Sequence, residues 1–197
     1  MTSVELLLRD IDAQWKQSAS GAKLRLNLIG CGALLVQTQY SRGTKDGDVL
    51  ETVELDLSIR NRLLELAGEK TALHKRHRIY IDIVANGLPF LPHSPKYHAV
   101  ASLAGLTHFE VFALDVVDVV VSKFKRYHAN DRADVQAMIE AEHVPHAQLI
   151  ERFEAAVDVF SMDARAGDLP RYAKNLNQAE RDFFGVEETT IELPDWG

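Results

Sequence analysis

Residues 24–51 constrain the fold of this chain more tightly than any other stretch. Leu24, Leu26 and Leu28 alternate with Arg25 and Asn27, a period of two that predicts a half-buried strand. The strand stops at Gly30-Cys31-Gly32, and an apolar helical run, Ala33-Leu34-Leu35-Val36, follows. A polar turn, Ser41-Arg42-Gly43-Thr44, then leads into Lys45-Asp46-Gly47-Asp48-Val49-Leu50. Side chains two apart on a strand share a face, with α-carbons roughly 6.5–7 Å apart. Asp46 and Asp48 therefore project together and can converge on a hard divalent cation; magnesium is usually held by one or two carboxylates plus substrate phosphates. Gly30 and Gly32 permit close backbone approach, and the helix after them offers its positive end to an anion. Asp-Gly-Asp alone is common in solvated turns, and Gly-x-Gly alone in strand-to-helix turns. It is their order that points to phosphoryl or nucleotidyl transfer.

At 197 residues, with 46% hydrophobic and 26% charged side chains, the chain is long enough for one large domain or two small ones with a real core. No apolar run approaches the roughly 20 residues of a membrane helix, so no span is expected. The acidic, amphipathic start MTSVELLLRDID is unlike a signal peptide. A single cysteine excludes an internal disulfide framework and disfavours a cysteine zinc site, and a cytoplasmic location is expected. The net charge of −7 argues against broad, sequence-independent nucleic-acid binding, but leaves room for a nucleotide whose phosphates are screened by metal ions and a few basic side chains.

Around that segment the pattern is α/β (α+β). A helix is expected over 2–18, with a Thr2/Glu5 capping box, a stripe of Val4, Leu7, Leu8, Ile11 and Trp15, and Gly21 as its C-cap. The alternation of Glu51 to Leu57 extends the aspartate strand, and a helical pattern runs over 57–73. Lys75-Arg76-His77-Arg78 reads as a solvated helix end or as a contact for RNA or nucleotide phosphate. Ile79 to Val84 reads as the clearest buried strand, and Asp82 within it needs a partner because an unpaired buried charge is costly. Residues 85–107 read as a long loop with His93 and His98 on the surface, and Phe109 to Leu114 as the strand that closes the sheet. Beyond it helices dominate. The first starts at Asp115 and carries Lys123, Lys125 and Arg126 at its far end; Asp131 caps the next. Another follows Pro145, a last one covers about 170–184, and the tail is expected to be partly ordered at best.

At Gly30-Cys31, about fifteen residues before Asp46-x-Asp48, the sequence resembles the polymerase-beta-type nucleotidyltransferase superfamily. The signature of that group is a glycine followed by glycine or serine, then Asp-x-Asp on the next strand. Arg42-x-Thr44-x-Asp46-x-Asp48 is similar to the version in small bacterial members related to abortive-infection toxin nucleotidyltransferases. The resemblance is sharpest over 24–51 and looser over 78–140. Cys31 stands where glycine or serine is usual, and Gly47 where an apolar residue is usual. The Gly47 position raises the expectation of a bulge.

The resemblance implies a small mixed-sheet nucleotidyltransferase core over 1–113 and a helical region over 114–197 packed on it. It implies Mg²⁺-dependent transfer of an NMP from an NTP to a hydroxyl of RNA, protein or a small molecule, with two Mg²⁺ ions. Asp46, Asp48 and Asp82 would be the catalytic and metal-binding carboxylates. Gly30, Cys31, Gly32, Arg42, Thr44 and Lys123 would hold the nucleotide. It also implies a toxin–antitoxin or phage-defence setting with a cognate partner protein. Two other readings stand beside it: a degenerate, non-catalytic member acting as a binding or antitoxin-like partner, and a metal-dependent phosphohydrolase, for which the usual histidine-rich spacing is lacking.

Overall fold

In the computed structural model, which describes residues 1–16 and 22–193, the alternating leucines form β1 (Leu24–Leu28) in the middle of a five-stranded mixed sheet. The other strands are β2 (Asp46–Leu50), β3 (Tyr80–Val84), β4 (Tyr97–Ala99) and β5 (Phe109–Leu114), in the spatial order β3-β2-β1-β5-β4. β1 runs antiparallel to β2 and parallel to β5; β2 and β3 are parallel, and β4 and β5 antiparallel. Residues paired across strands share a face, so the register sorts the side chains. One face carries Leu24, Leu26, Leu28, Gly47, Val49, Ile81, Ile83, Phe109, Val111 and Ala113, buried except for half-buried Leu24 and Ile83.

That apolar face is covered by α2 (Gly30–Gln37), which lies against β2 and β5 and is flanked in turn by α1 (Ser3–Gln14). α1 has the expected capping box at Thr2 and Glu5, and buries Val4, Leu7, Leu8 and Ile11. Trp15 packs edge-on against Phe109 at 5.1 Å. The helix expected over 2–18 instead ends at Gln14, where Trp15 turns extended as its C-cap; the expected Gly21 cap lies outside the described residues. Within α1, Asp12 is buried and accepts from the backbone N–H groups of Thr107 and His108 at 2.9 and 2.7 Å, which fixes the entry to β5. Asp12→Ala leaves both donors without that acceptor and is expected to cost about 1–3 kcal/mol, read as a lowered urea midpoint.

Several expectations are corrected. β2 stops at Leu50, because Asp56 accepts from the Ile59 N–H and starts α3 (Leu57–Ala67) instead of letting the strand continue. The 57–73 helix is two helices. Gly68 ends α3, since a Cβ there would collide with the Leu64 carbonyl, and Thr71 caps α4 (Ala72–His77). The basic cluster is a helix end, one of its two expected readings: it is the last turn of α4, with Arg76 and His77 bound to Asp10 at 2.7 and 2.8 Å. β3 lies at the sheet's edge, and Asp82 is exposed and needs no buried partner. The 85–107 loop contains β4 and a 3₁₀ turn over Ala101–Leu103, because Tyr97 and Ala99 pair with Leu114 and Phe112. His93 and His98 are exposed, as expected. The β2–β3 ladder passes through Gly47 without a bulge.

The chain divides into two units, Met1–Leu88 with Tyr97–Leu114, and Pro89–Lys96 with Asp115–Gly197. The second unit thus draws a short segment from before β4. It contains α5 (Val116–Lys123), α6 (Ala129–Glu140), α7 (His146–Ser161) and α8 (Leu169–Ala179), the last running into one π-helical turn over Glu180–Phe184. Its core centres on Phe90, fully buried and edge-on to Phe153, Phe160 and Tyr172 at 5.1–5.2 Å. Asp118, also fully buried, takes two hydrogen bonds from Arg152 and one from the Lys96 N–H. Among the described residues, no helix is long and apolar enough to cross a membrane.

Candidate active site

The opposite face of the sheet carries Arg25, Asn27, Asp46, Asp48, Tyr80, Asp82, Tyr97, Glu110 and Phe112, with the apolar Leu50, Val84, Ala99 and Leu114 at the strand ends. Asp46 and Asp48 lie two apart on β2, and Asp48 is the register partner of Asp82 on β3. The Asp48 and Asp82 α-carbons are therefore about one strand spacing, roughly 4.8 Å, apart. Three carboxylates thus share one patch, half-buried at Asp46 and Asp48 and exposed at Asp82. Tyr80, the register partner of Asp46, reports their field. Burial pushes its phenol pKa up, and the charges of Asp46, Asp82, Glu69 and Asp48 push it further the same way. Its ring stands edge-on to His74 at 5.1 Å.

The glycine turn closes against this patch from β1. The Ile29 N–H donates to the Asp48 carbonyl at 2.9 Å, which carries the β1–β2 pairing up to Gly30. Gly30 has φ +59°, and a Cβ on it would lie 2.6 Å from Asp48 Oδ2. Both the backbone angle and the approach of the carboxylate demand glycine. Gly30→Ala is expected to cost about 1–3 kcal/mol in backbone strain and to push the Asp48 carboxylate aside. A lower melting temperature together with lost nucleotide affinity checks this. Cys31 is buried and is not in a disulfide. A Cβ on Gly32 would lie 3.7 Å from Gly47 Cα, so α2 and β2 come closest at these two glycines. A Cβ on Gly47 would meet only ordinary contacts, Ile81 Cδ1 at 3.5 Å and the Tyr80 carbonyl at 3.7 Å. Its close approach to the helix thus comes from Gly32, not from a crowded Gly47.

Thr44 lies at the mouth of β2, its hydroxyl 3.0 Å from Asp46 Oδ1 and 3.1 Å from the Asp46 carbonyl oxygen. That contact orients the carboxylate. Arg42 is half-buried on the same approach to β2. Lys123 belongs to the helical unit, where it is buried with its ammonium 2.6 Å from Asp134 and 3.6 Å from Asp131. The N-cap of α6 is His128, not Asp131 as expected; Asp131 occupies the third position of the helix and accepts from the His128 N–H.

The geometry offers oxygen ligands of the kind a hard cation takes. Among the described residues, no group of three His, Cys, Asp or Glu side chains converges as a ready metal cluster. The carboxylates share a face rather than a point. Among the polar and aromatic residues of this face, Arg25, Asn27, Tyr80, Tyr97, Glu110 and Phe112 have no role in the motif-based reading. The signal for two of them was present: if the leucines of β1 turn to the core, Arg25 and Asn27 turn to the other side, where β2 puts its aspartates. Phe112 needed the β1–β5 register, which no local pattern carries.

No curated protein and no solved structure matches this chain. Over residues 7–180 it matches the family described as "Nucleotidyltransferase of unknown function (DUF6036)". With a strand, glycine turn and aspartate patch inside the matched region, the chain belongs to this nucleotidyltransferase family.

Proposed function

We propose that this protein is an active Mg²⁺-dependent nucleotidyltransferase that moves an NMP from an NTP to a hydroxyl acceptor. The observation that carries the reading is the register pairing of Asp48 with Asp82, with Asp46 on the same face and Gly30 drawn up against Asp48. Asp46, Asp48 and Asp82, which share one face, would hold the metal. Two Mg²⁺ ions, when bound, would neutralise charge on the attacking and leaving oxygens.

The chain's own residues do the rest. The backbone N–H groups of Gly30, Cys31 and Gly32 face the phosphates at the start of α2. Thr44 keeps the Asp46 carboxylate in one orientation. Arg42 adds a positive charge on the approach to β2. In the reaction the acceptor hydroxyl oxygen forms a bond to the α-phosphorus, the bond from the α-phosphorus to the bridging oxygen breaks, and pyrophosphate leaves. The hydroxyl proton passes to the Asp82 carboxylate, which its exposure at the sheet edge lets it return to water. Lys123 has no part in this scheme, since two carboxylates hold it.

The acceptor classes are RNA, a protein hydroxyl and a small molecule. The setting proposed is cytoplasmic, in a toxin–antitoxin or phage-defence pair with a cognate protein. Incubation with Mg²⁺ and each α-³²P-labelled NTP, with total RNA and lysate protein as acceptors, tests the reading. Label is expected in one acceptor class. Equal transfer by an Asp46→Ala/Asp48→Ala variant would overturn it. A non-catalytic binding role is the second reading, favoured by Cys31 and Gly47 at motif positions. Calorimetry that finds no Mg²⁺-NTP binding supports that alternative.

A further inference from the structure

Arg25 is the one cation among the strand residues on the aspartate-bearing face. Its register partner on β5 is Glu110, an exposed carboxylate on the same face, and an ion pair between them would be the ordinary outcome. Instead the guanidinium carbon sits 3.9 Å from the centroid of the Phe112 ring. Arg25 Nε donates to Asn27 Oδ1 at 2.9 Å, which holds the guanidinium where it is. Among the described residues Arg25 makes no ion pair. Asn27 is buried, while Arg25 and Phe112 are half-buried. The Tyr97 ring flanks the guanidinium at 5.9 Å. A charged plane laid on an aromatic ring keeps its planarity and leaves its other side to stack, the arrangement by which proteins hold bases without reading their edges.

The position suits that use. Phe112 pairs with Asn27, two residues before Ile29, and β5 is two strands from β2. Strand rise and spacing put Phe112 about 12 Å from Asp48 across the face, comparable with the distance from the base to the phosphates of an extended nucleotide. We propose that Arg25, laid on Phe112 and held by Asn27, is the shelf on which the nucleobase of the donor NTP stacks while its phosphates lie at Asp46 and Asp48. This rests on the nucleotidyltransferase reading above. Stacking on a guanidinium tolerates any base, so the shelf would position the donor without choosing among ATP, CTP, GTP and UTP.

The test compares two ligands on the full chain by calorimetry in Mg²⁺: α,β-methylene ATP, which has a base, and inorganic tripolyphosphate, which has none. Arg25→Ala and Phe112→Leu are each expected to weaken the nucleotide analogue by about 5- to 100-fold and leave tripolyphosphate within about twofold. Arg25→Lys keeps the charge, loses the plane, and is expected to behave like Arg25→Ala; being conservative, it also guards against a variant that fails to fold. A parallel loss of both ligands would make Arg25 a general electrostatic contributor and overturn the proposal. So would no change in either. If an RNA oligonucleotide weakens in place of the analogue, the shelf belongs to the acceptor and the donor assignment falls. Asp46→Asn separates the two levels. If it weakens both ligands while the Arg25 variants change nothing, the shelf fails and the nucleotidyltransferase reading stands. If it weakens neither while the Arg25 variants act on the analogue alone, the metal-site reading fails. No binding of either ligand by the wild type overturns both.

Discussion

Asp46→Asn and Asp48→Asn are each expected to lower nucleotidyl transfer by about 10²- to 10³-fold, with the double variant falling to background. Asparagine preserves the shape of each side chain and removes the charge. At Asp46 the Oδ1 that meets the Thr44 hydroxyl remains an acceptor, so the local hydrogen bond survives the change. Both positions are half-buried on an open sheet face and away from the packed side of β2. Stability should therefore change by no more than about 0.5 kcal/mol, a shift of about 2 °C or less in a chain of this size. Removing a ligand to a charge-neutralising metal costs far more in the transition state, where charge builds on the attacking and leaving oxygens, than in the folded ground state. Initial rates of label transfer together with melting curves check both halves. A variant that melts normally and transfers at the wild-type rate would remove Asp46 and Asp48 from the chemistry.

The parts of this site that could be read in advance are those that depend on local periodicity. Leu24, Leu26 and Leu28 fix which side of β1 faces the core, and the i, i+2 spacing of Asp46 and Asp48 fixes their common direction. Non-local features were beyond such reading. Ile79, Ile81 and Ile83 look like a buried strand, yet β3 has a neighbour on one side only, so Asp82 is exposed on its open face. That exposure cannot be seen from the composition of β3, because burial depends on which strands flank it. The break of the 57–73 pattern at Gly68 was legible in the Gly68 to Thr71 sequence, but continuous apolar spacing outweighed it. Phe112 entered the site only through its pairing with Asn27, a contact across 85 positions of sequence. Helices were found where caps and periodicity agreed, as in α1 and α5, whose caps Thr2 and Asp115 both accept backbone N–H groups.

Lys123→Met is expected to destabilise the helical unit by about 3–5 kcal/mol, the largest stability effect of any substitution considered. Lys123 is 7% exposed and its ammonium lies 2.6 Å from Asp134, a carboxylate with no exposure at all. Asp131, 3.6 Å away, is also buried and accepts from the His128 N–H at the start of α6. Methionine fills nearly the same volume but takes the Lys123 ammonium away from the fully buried Asp134 carboxylate, so the cost comes from electrostatics and desolvation and not from a cavity. At 2–4 °C per kcal/mol, the transition of this unit should fall by roughly 6–20 °C. Adding Asp134→Leu removes the carboxylate that Lys123 neutralised, and the double variant is expected to regain much of the loss. The same experiment divides two roles for Lys123. A structural lysine gives a large loss of stability and leaves the Mg²⁺-nucleotide Kd within about twofold when measured below the transition. A lysine that reaches the triphosphate gives the reverse, an affinity loss with little change in melting. Its two carboxylate contacts lead us to expect the first pattern.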